Sequence, residues 1–586
     1  MSLKFSSLNE KLFRSREVSS FGTVGTVRLL KGKAVRLLNY IGRSIAYSST
    51  RSYGSFVLSF GLMSLFLHLG EYYFADEPEI ALSLVVGAAC ALLAIPLLVV
   101  NKPMCEALQD FFLTDYILYE FLLIKRMNDD ADHSKIPPLV AAFLGFVPAI
   151  IGFFFPIHFV VIGMFIAIFL ALALITPEFP MITTLLLLPY IELLPMSSVI
   201  LISLSFITFI SFAIKVLIGK RVYNIDVYDV IILFIIVFVL ISGVLGGGAD
   251  SLKNSILFTV LLLGYFPASD LIVNRRLADC AMNAVIVSSI PIAIVSVIEF
   301  IIELPIVDFT SKHSTPKITA FFDSSLSLAA FMIVSAILTL AFALEKKRRA
   351  KKIFYYSLFI IELFIIGLIL EPGALVAVVF ASVCYLILTS NKIPHDVITL
   401  FIAAAHLLLL IPIEKLNAVS KYFGFDPSLP ALVSGYKRAL KVFFDNFAFG
   451  VGMGDGSYKV AVGMNSSGIF NTLLGIGVQI GAFALVLFVA MILIRMRHLS
   501  YYRHYTKNSF VNTAVNMTAL VTVALLIYGA FANIFENVAV FYLFWSVFGM
   551  CTSSLRTARK EHDDRLGYYG DLGSAESSAI DVSIIE

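Results

Sequence analysis

Charge is scarce in this sequence: Asp, Glu, Lys and Arg together make up only 14% of its 586 residues. That is well below the share found in soluble domains, so a water-exposed globular surface cannot be assembled from it. Cysteine is also sparse. The five present (Cys90, Cys105, Cys280, Cys384, Cys551) have no metal-ligand spacing and form no disulfide framework. Tryptophan occurs once, at Trp545. No cleavable leader is visible, because about fifty mostly polar and basic residues precede the first apolar run. Alternating strands of the outer-membrane barrel type are absent, since the apolar runs are continuous and too long.

Apolar residues fill the space that charge leaves. They account for 59% of the chain, and the mean hydropathy is +0.92. Runs of about 18 or more apolar residues recur along most of the length, which predicts an all-α polytopic transmembrane bundle of about 12–16 spans. The first expected span is 55–74 and the last 537–553. The domain reading is a basic cytoplasmic segment at 1–54, a membrane domain at 55–555 and a disordered cytoplasmic tail at 556–586. One long external loop, 413–468, lies between late spans. The net charge of +3 says less than where the charges lie. Ten Lys and Arg fall between Lys4 and Arg51. From Arg28 to Ile45 they interleave with Leu29, Leu30, Val35, Leu37, Leu38 and Ile41. This is the pattern of a basic helix on an anionic leaflet, and equally of a solvated topogenic tail. Pro103 to Arg126 reads as an interfacial helix on the same side.

Lys220/Arg221, Arg275/Arg276, Lys346–Lys352 and Arg495–Arg503 all fall on one side of the predicted topology. The positive-inside rule makes that side, and both termini, cytoplasmic. The opposite face receives two polar stretches. One runs from Ser311 to Ala329 and carries His313 and Lys317. The other runs from Ser434 to Gly468. It carries Lys437 and Arg438 on a short amphipathic run, then Asp445, the glycines Gly450, Gly452 and Gly454, Asp455, and Asn465-Ser466-Ser467-Gly468. Cations at headgroup level suit a lipid-linked phosphate, with Arg as a bidentate fork and Lys as a point charge. Taken singly they also read as ordinary loop cations. The glycine run does not follow a strand, so it is no nucleotide loop. It serves either backbone freedom or close approach to a phosphate. Asp445, Asp455 and His313 are candidate acid–base groups or solvated loop residues. Glu362 lies inside an apolar run, where an ionisable side chain is expensive. It is either functional or protonated and hydrogen-bonded to a neighbouring helix. His68 and His406 read as packing residues.

In this order and separation, the two stretches resemble the O-antigen ligase / O-antigen polymerase family of bacterial membrane glycosyltransferases. Lys317-Ile-Thr-Ala-Phe-Phe-Asp323 resembles a family stretch that opens a span, with Lys in place of Arg. Glu371-Pro-Gly-Ala-Leu375 resembles a second, again without the Arg. Arg438 leading to Phe449-Gly-Val-Gly-Met-Gly454 resembles the long-loop motif. Asn465 to Gly481 aligns with a His-Asn pair that precedes a glycine-spaced span, and the family's His falls at Ser466 or Ser467. The resemblance implies glycan transfer from a polyprenyl-diphosphate donor to a sugar or other acceptor on the external face of the bacterial plasma membrane. It implies Arg438 and Lys317 as the catalytic cations that hold the diphosphate. Lys437, Gly450, Gly452, Gly454, Ser466 and Ser467 are then substrate-binding. No cofactor and no metal is expected, and the partners are the lipid-linked glycan, its acceptor and membrane lipids, not nucleic acid. A serine cannot take a proton near neutral pH as imidazole does, so a lipid-linked glycan binder or exporter on the same scaffold is the alternative. The topology has a direct test: a cysteine placed at Ser457 is expected to label from outside intact cells. Labelling only after permeabilisation reverses the orientation.

Overall fold

In a computed structural model, residues 44, 47–72, 78–123, 136–176, 178–194, 196–217, 223, 225–246, 249–270, 275–303, 318–345, 348–369, 371–389, 429–453, 471–502 and 509–565 are described. The basic segment 1–43 and the expected span 396–412 lie outside them, as do Lys317, His313, Gly454, Asp455, Ser466, Ser467 and His406. The described residues are helical, with no strand. Long apolar segments have little choice here, because in lipid a helix satisfies its backbone groups internally.

The chain divides into two compact units. The first comprises residues 1–180 and 210–223, the second 181–209 and 224–586. In the first, α1 (Thr50–Tyr72), α2 (Pro78–Val99) and α4 (Pro138–Phe154) pack together, with α3 (Met104–Asp110) and α5 (Ile157–Ile175) beside them. After α3 the backbone continues through a short helical turn and a π-helix, Asp115–Phe121. The expected interfacial helix is therefore broken, and it leaves Phe111, Phe112, Leu113 and Tyr116 exposed. α1 and α2 approach at Gly61 and Gly87, where a Cβ on Gly61 would stand 2.6 Å from the Gly87 carbonyl oxygen. Small residues let membrane helices close to this distance. His68 is buried, with Nδ1 2.8 Å from the Ser64 carbonyl, as a packing residue should be.

α6 (Glu178–Ile191) and α7 (Ser197–Leu217) each pass from one unit to the other. The remaining helices of nine residues or more belong to the second unit. They are α8 (Val227–Leu245), α9 (Ala249–Leu263), α10 (Arg275–Glu303), α11 (Ser325–Glu345), α12 (Arg349–Leu368), α13 (Pro372–Thr389), α14 (Leu429–Asp445), α15 (Thr472–Ile480), α16 (Ala482–Tyr502), α17 (Ser509–Gly529) and α18 (Val538–Arg565). At the centre stand α11, α17 and α18, whose membrane windows are 94%, 89% and 94% buried. Trp545 lies inside this core, ringed by Phe488, Phe541, Phe544 and Phe548.

Ten helices among the described residues are long and apolar enough to cross a membrane, and four more are apolar but shorter. α12 is not one of the ten, because Arg349, Lys351, Lys352 and Glu362 break its apolar run. The last helix reaches Arg565, nine residues past the expected start of a disordered tail at 556. The cause is a polar cluster at its far end. Arg556 donates to Asp229 Oδ2 at 2.5 Å and to the Ser269 carbonyl at 3.1 Å. Asp229 Oδ1 accepts from the Tyr265 hydroxyl at 3.0 Å. Arg495 was counted from sequence among the cations that set the orientation. Instead it is fully buried, stacked over Phe548, and donates to the Phe548 carbonyl at 2.8 Å and to Thr552 Oγ1. Arg275 bridges Glu345 at 2.8 Å, and Tyr228 meets His498 at 2.8 Å. The basic ends of α10, α16 and α18 thus gather at one end of this unit.

Removing one partner of a buried ion pair leaves an uncompensated charge, at a cost of about 3–5 kcal/mol. Asp229→Ala is expected to destabilise by roughly that amount. Asp229→Ala combined with Arg556→Leu should recover most of the loss. Thermal unfolding in detergent, followed by Trp545 fluorescence, reads both; a double variant no better than the single overturns the pairing.

Candidate functional site

At the opposite end of the same unit, five helix ends meet around a cleft of about 210 Å³. The turn after α6 supplies Glu192. The turn before α11 supplies Asp323 and Ser324. The segment between α17 and α18 supplies Asn533, Glu536 and Asn537. Local chemistry fixes each turn. Ser324 caps α11 by accepting from the Ser327 amide at 3.2 Å, and Asn537 caps α18 by accepting from the Val540 amide at 3.0 Å. Both are short polar side chains that answer an otherwise orphaned helix N–H. Glu192 joins the turns: Oε1 accepts from Asn537 Nδ2 at 2.6 Å, and Oε2 accepts from the Asp323 amide at 2.8 Å. Glu371, at the start of α13, accepts from Ser325 at 3.4 Å.

Among the described residues the lining is thus three carboxylates, two amides and several hydroxyls, with no Lys, Arg or His. Burial raises the Glu192 carboxyl above its ordinary range, and the nearby Asp323 charge adds to this. The two hydrogen bonds it accepts oppose the rise. Burial raises Glu371 as well. A carboxyl with a raised pKa, held in a cleft by two donors, is equipped to exchange a proton with a bound hydroxyl.

Arg438 and Lys437 lie on α14 with exposed side chains, outside the cleft lining. α14 is a helix of 17 residues, longer than the short run expected, and Asp445 is its exposed last residue. Its inner face packs through Ala439, Val442 and Phe443 on Leu474 and Val478 of α15. The glycine turn that follows is committed to the same helix. Gly450 and Gly452 have φ of 71° and 97°. The Val451 and Gly452 amides donate to the Val478 and Gln479 carbonyls at 2.9 and 3.0 Å. A Cβ on Gly450 would stand 2.5 Å from the Gln479 carbonyl carbon. These amides therefore cap the end of α15, where Gly481 (φ 93°) breaks the path into α16. The other end of α15 reaches the cleft segment: Thr472 Oγ1 donates to the Ala532 carbonyl at 2.9 Å and accepts from the Ile534 amide at 3.1 Å. One short helix thus links the Arg438 helix to the loop that carries Asn533 and Asn537.

Of the residues singled out from sequence, Glu362 is found fully buried in α12, hydrogen-bonded to Ser289 and Ser335. Lys317 immediately precedes the first described residue of its segment, Ile318. The next two amides, Thr319 and Ala320, donate to Glu299 Oε2 at 3.0 and 2.7 Å. Glu192, Asn533 and Asn537 carried no motif in the sequence. Their only signal was polarity at the ends of apolar runs. No protein-family model and no curated protein sequence matches this chain.

The geometry makes Asn537 both a cap and the donor to Glu192. Asn537→Ala should cost about 1–3 kcal/mol, from the lost cap and the unanswered carboxyl. Asn537→Asp keeps the cap but sets a second carboxylate against Glu192. Its stability should fall as pH rises through the raised Glu192 pKa and recover as pH falls below it, because the folded state then binds the extra proton. A pH-independent deficit in Asn537→Asp overturns the contact.

Proposed function

We propose that the protein is an integral membrane protein of bacterial cell-surface polysaccharide assembly. It transfers a glycan from a polyprenyl-diphosphate donor to a sugar hydroxyl. The observation that carries this reading is the chemistry of the cleft. Carboxylates, carboxamides and serine hydroxyls offer the mixed donors and acceptors that hydroxyl groups need, and three carboxylates repel a phosphate. The cleft is smaller than the roughly 300–1,000 Å³ of sites that enclose a drug-sized ligand. It suits one terminal sugar ring of the acceptor. The diphosphate belongs with Arg438, which lies outside the cleft lining, and the resemblance assigns Lys317 to the same group.

In this scheme Glu192, deprotonated, accepts the proton of the acceptor hydroxyl. The freed oxygen attacks the anomeric carbon of the donor. The bond from that carbon to the diphosphate oxygen breaks, and the electron pair leaves with the lipid diphosphate. Arg438 and Lys317 stabilise the charge that develops there. Asp445 is exposed at the end of α14 and is not among the residues that line the cleft. A second reading, binding or export of the lipid-linked glycan without transfer, is favoured by one observation: Arg438 is not among the residues that line the cleft.

The test is a purified assay with a defined polyprenyl-diphosphate glycan and a sugar acceptor. A charge-assisted contact contributes about 1.5–3 kcal/mol. Arg438→Ala should therefore reduce turnover by roughly ten- to a hundredfold, at about 1.4 kcal/mol per decade. Arg438→Lys should lose activity too, because the planar fork is gone. The wild-type rate should rise with pH through the raised Glu192 pKa, and Glu192→Gln should abolish that limb. Binding of the donor with no product in the wild type selects the second reading.

A further inference from the structure

Glu362 is not used by the scheme above, and its surroundings are built. Its carboxyl sits between α10, α11 and α12 with no exposed surface. Oε1 lies 2.7 Å from Ser289 Oγ and 2.5 Å from Ser335 Oγ. Thr339 stands beside the carboxyl, its hydroxyl outside hydrogen-bonding geometry, and Oε2 has no hydrogen-bond partner. An ionised carboxylate answered by two hydroxyls alone is costly at this depth.

The hydrogen count bears on the state. Ser289 Oγ lies 2.7 Å from Glu362 Oε1 and 2.8 Å from the Ile286 carbonyl, and it has one hydrogen for the two. With the carboxyl ionised, Ser289 donates to Oε1 and the Ile286 contact is left without a hydrogen. With the carboxyl protonated, Oε1 can donate to Ser289 and free that hydrogen for Ile286. Oxygens 2.5–2.7 Å apart share a proton. A metal ion seated between them, at a little over 2 Å from each, would hold them farther apart.

The surroundings extend toward the cleft end of the unit. Ser296 lies seven residues beyond Ser289, on the same stripe of α10. It is fully buried, and its hydroxyl has no partner. Glu299 follows one turn later, where it holds the Thr319 and Ala320 amides. We propose that Glu362 is a reversible proton-binding site inside the bundle, exchanging its proton with the cleft end along the Ser289–Ser296–Glu299 stripe. The titratable side chains on the helices packed around it include Asp279, Cys280 and Glu299 on α10, Glu345 on α11, and Cys384 and Tyr385 on α13. None of them is among its hydrogen-bond partners, which are the Ser289 and Ser335 hydroxyls. The proton therefore responds to whether α10 and α11 keep those hydroxyls in place. This inference is independent of the glycan reading.

Infrared spectroscopy of the full chain in lipid nanodiscs tests it without any substrate. The wild type should show the carbonyl stretch of a protonated carboxylic acid at neutral pH. The band should shift in D2O and disappear reversibly at alkaline pH, and Glu362→Gln should lack it. Ser335→Ala removes a donor to Oε1 and should move the titration midpoint upward. It serves also if Glu362→Gln does not fold. Ser296→Val should leave the midpoint in place and slow deuterium exchange by roughly tenfold. Three results overturn the proposal: no such band in the wild type, a band that neither exchanges nor titrates, or Ser335→Ala and Ser296→Val both indistinguishable from wild type.

Discussion

Within an apolar slab, a polar atom must be answered by another atom of the chain, because neither lipid nor water will do it. The larger unit is arranged around that constraint. At one end Asp229 collects Tyr265 and Arg556 while Arg495 finds the Phe548 carbonyl and Thr552, so that α8, α16 and α18 are tied. At the other end Glu192 collects Asn537 and the Asp323 amide, tying the ends of α6, α11 and α18. α18 takes part in both knots, and between them it is nearly all protein-enclosed. The two ends differ in sign. One gathers guanidinium groups, the other carboxylates, and the cleft lies at the second.

Under the proposed function, this arrangement separates the two tasks of a glycan transfer. A site that must hold both a polyanionic leaving group and a sugar hydroxyl is better served by two environments than by one. The carboxylate cleft and the cationic outer face of α14 are two such environments. α15 touches both the α14 helix and the cleft loop, so a load on one is felt at the other through a single packed helix. The glycine turn is part of the mechanical link: its amides are used on α15.

Much of the architecture was legible in the sequence. Uninterrupted apolar runs made helices the only solution, and Arg275, Arg495 and Arg556 stand on three different helices at one end of the larger unit. What sequence could not tell was which spans are central. α2 and α11 are similarly apolar, yet the first is 17% buried and the second 94%, because lipid and protein interior select the same side chains. The burial of Arg495 was hidden for a related reason. A cation near a span end looks topogenic unless its acceptors, here on α18, are known. Glu362 stood out because a carboxyl inside an apolar run has few explanations. Glu192 did not, since a Glu just past a run is what any exposed turn contains, and its partners lie 131 and 345 residues away.

The break at Gly481 bears on the order in which the chain is built. α15 has nine residues, about 13 Å of helix, and cannot cross a bilayer by itself. It cannot be threaded into lipid as an independent segment while the ribosome is still adding residues. The turn that caps it, from Phe447 to Gly452, is made some thirty residues earlier. Synthesis therefore delivers the receptor for this short helix before the helix, and α16 can enter the membrane with its predecessor already seated.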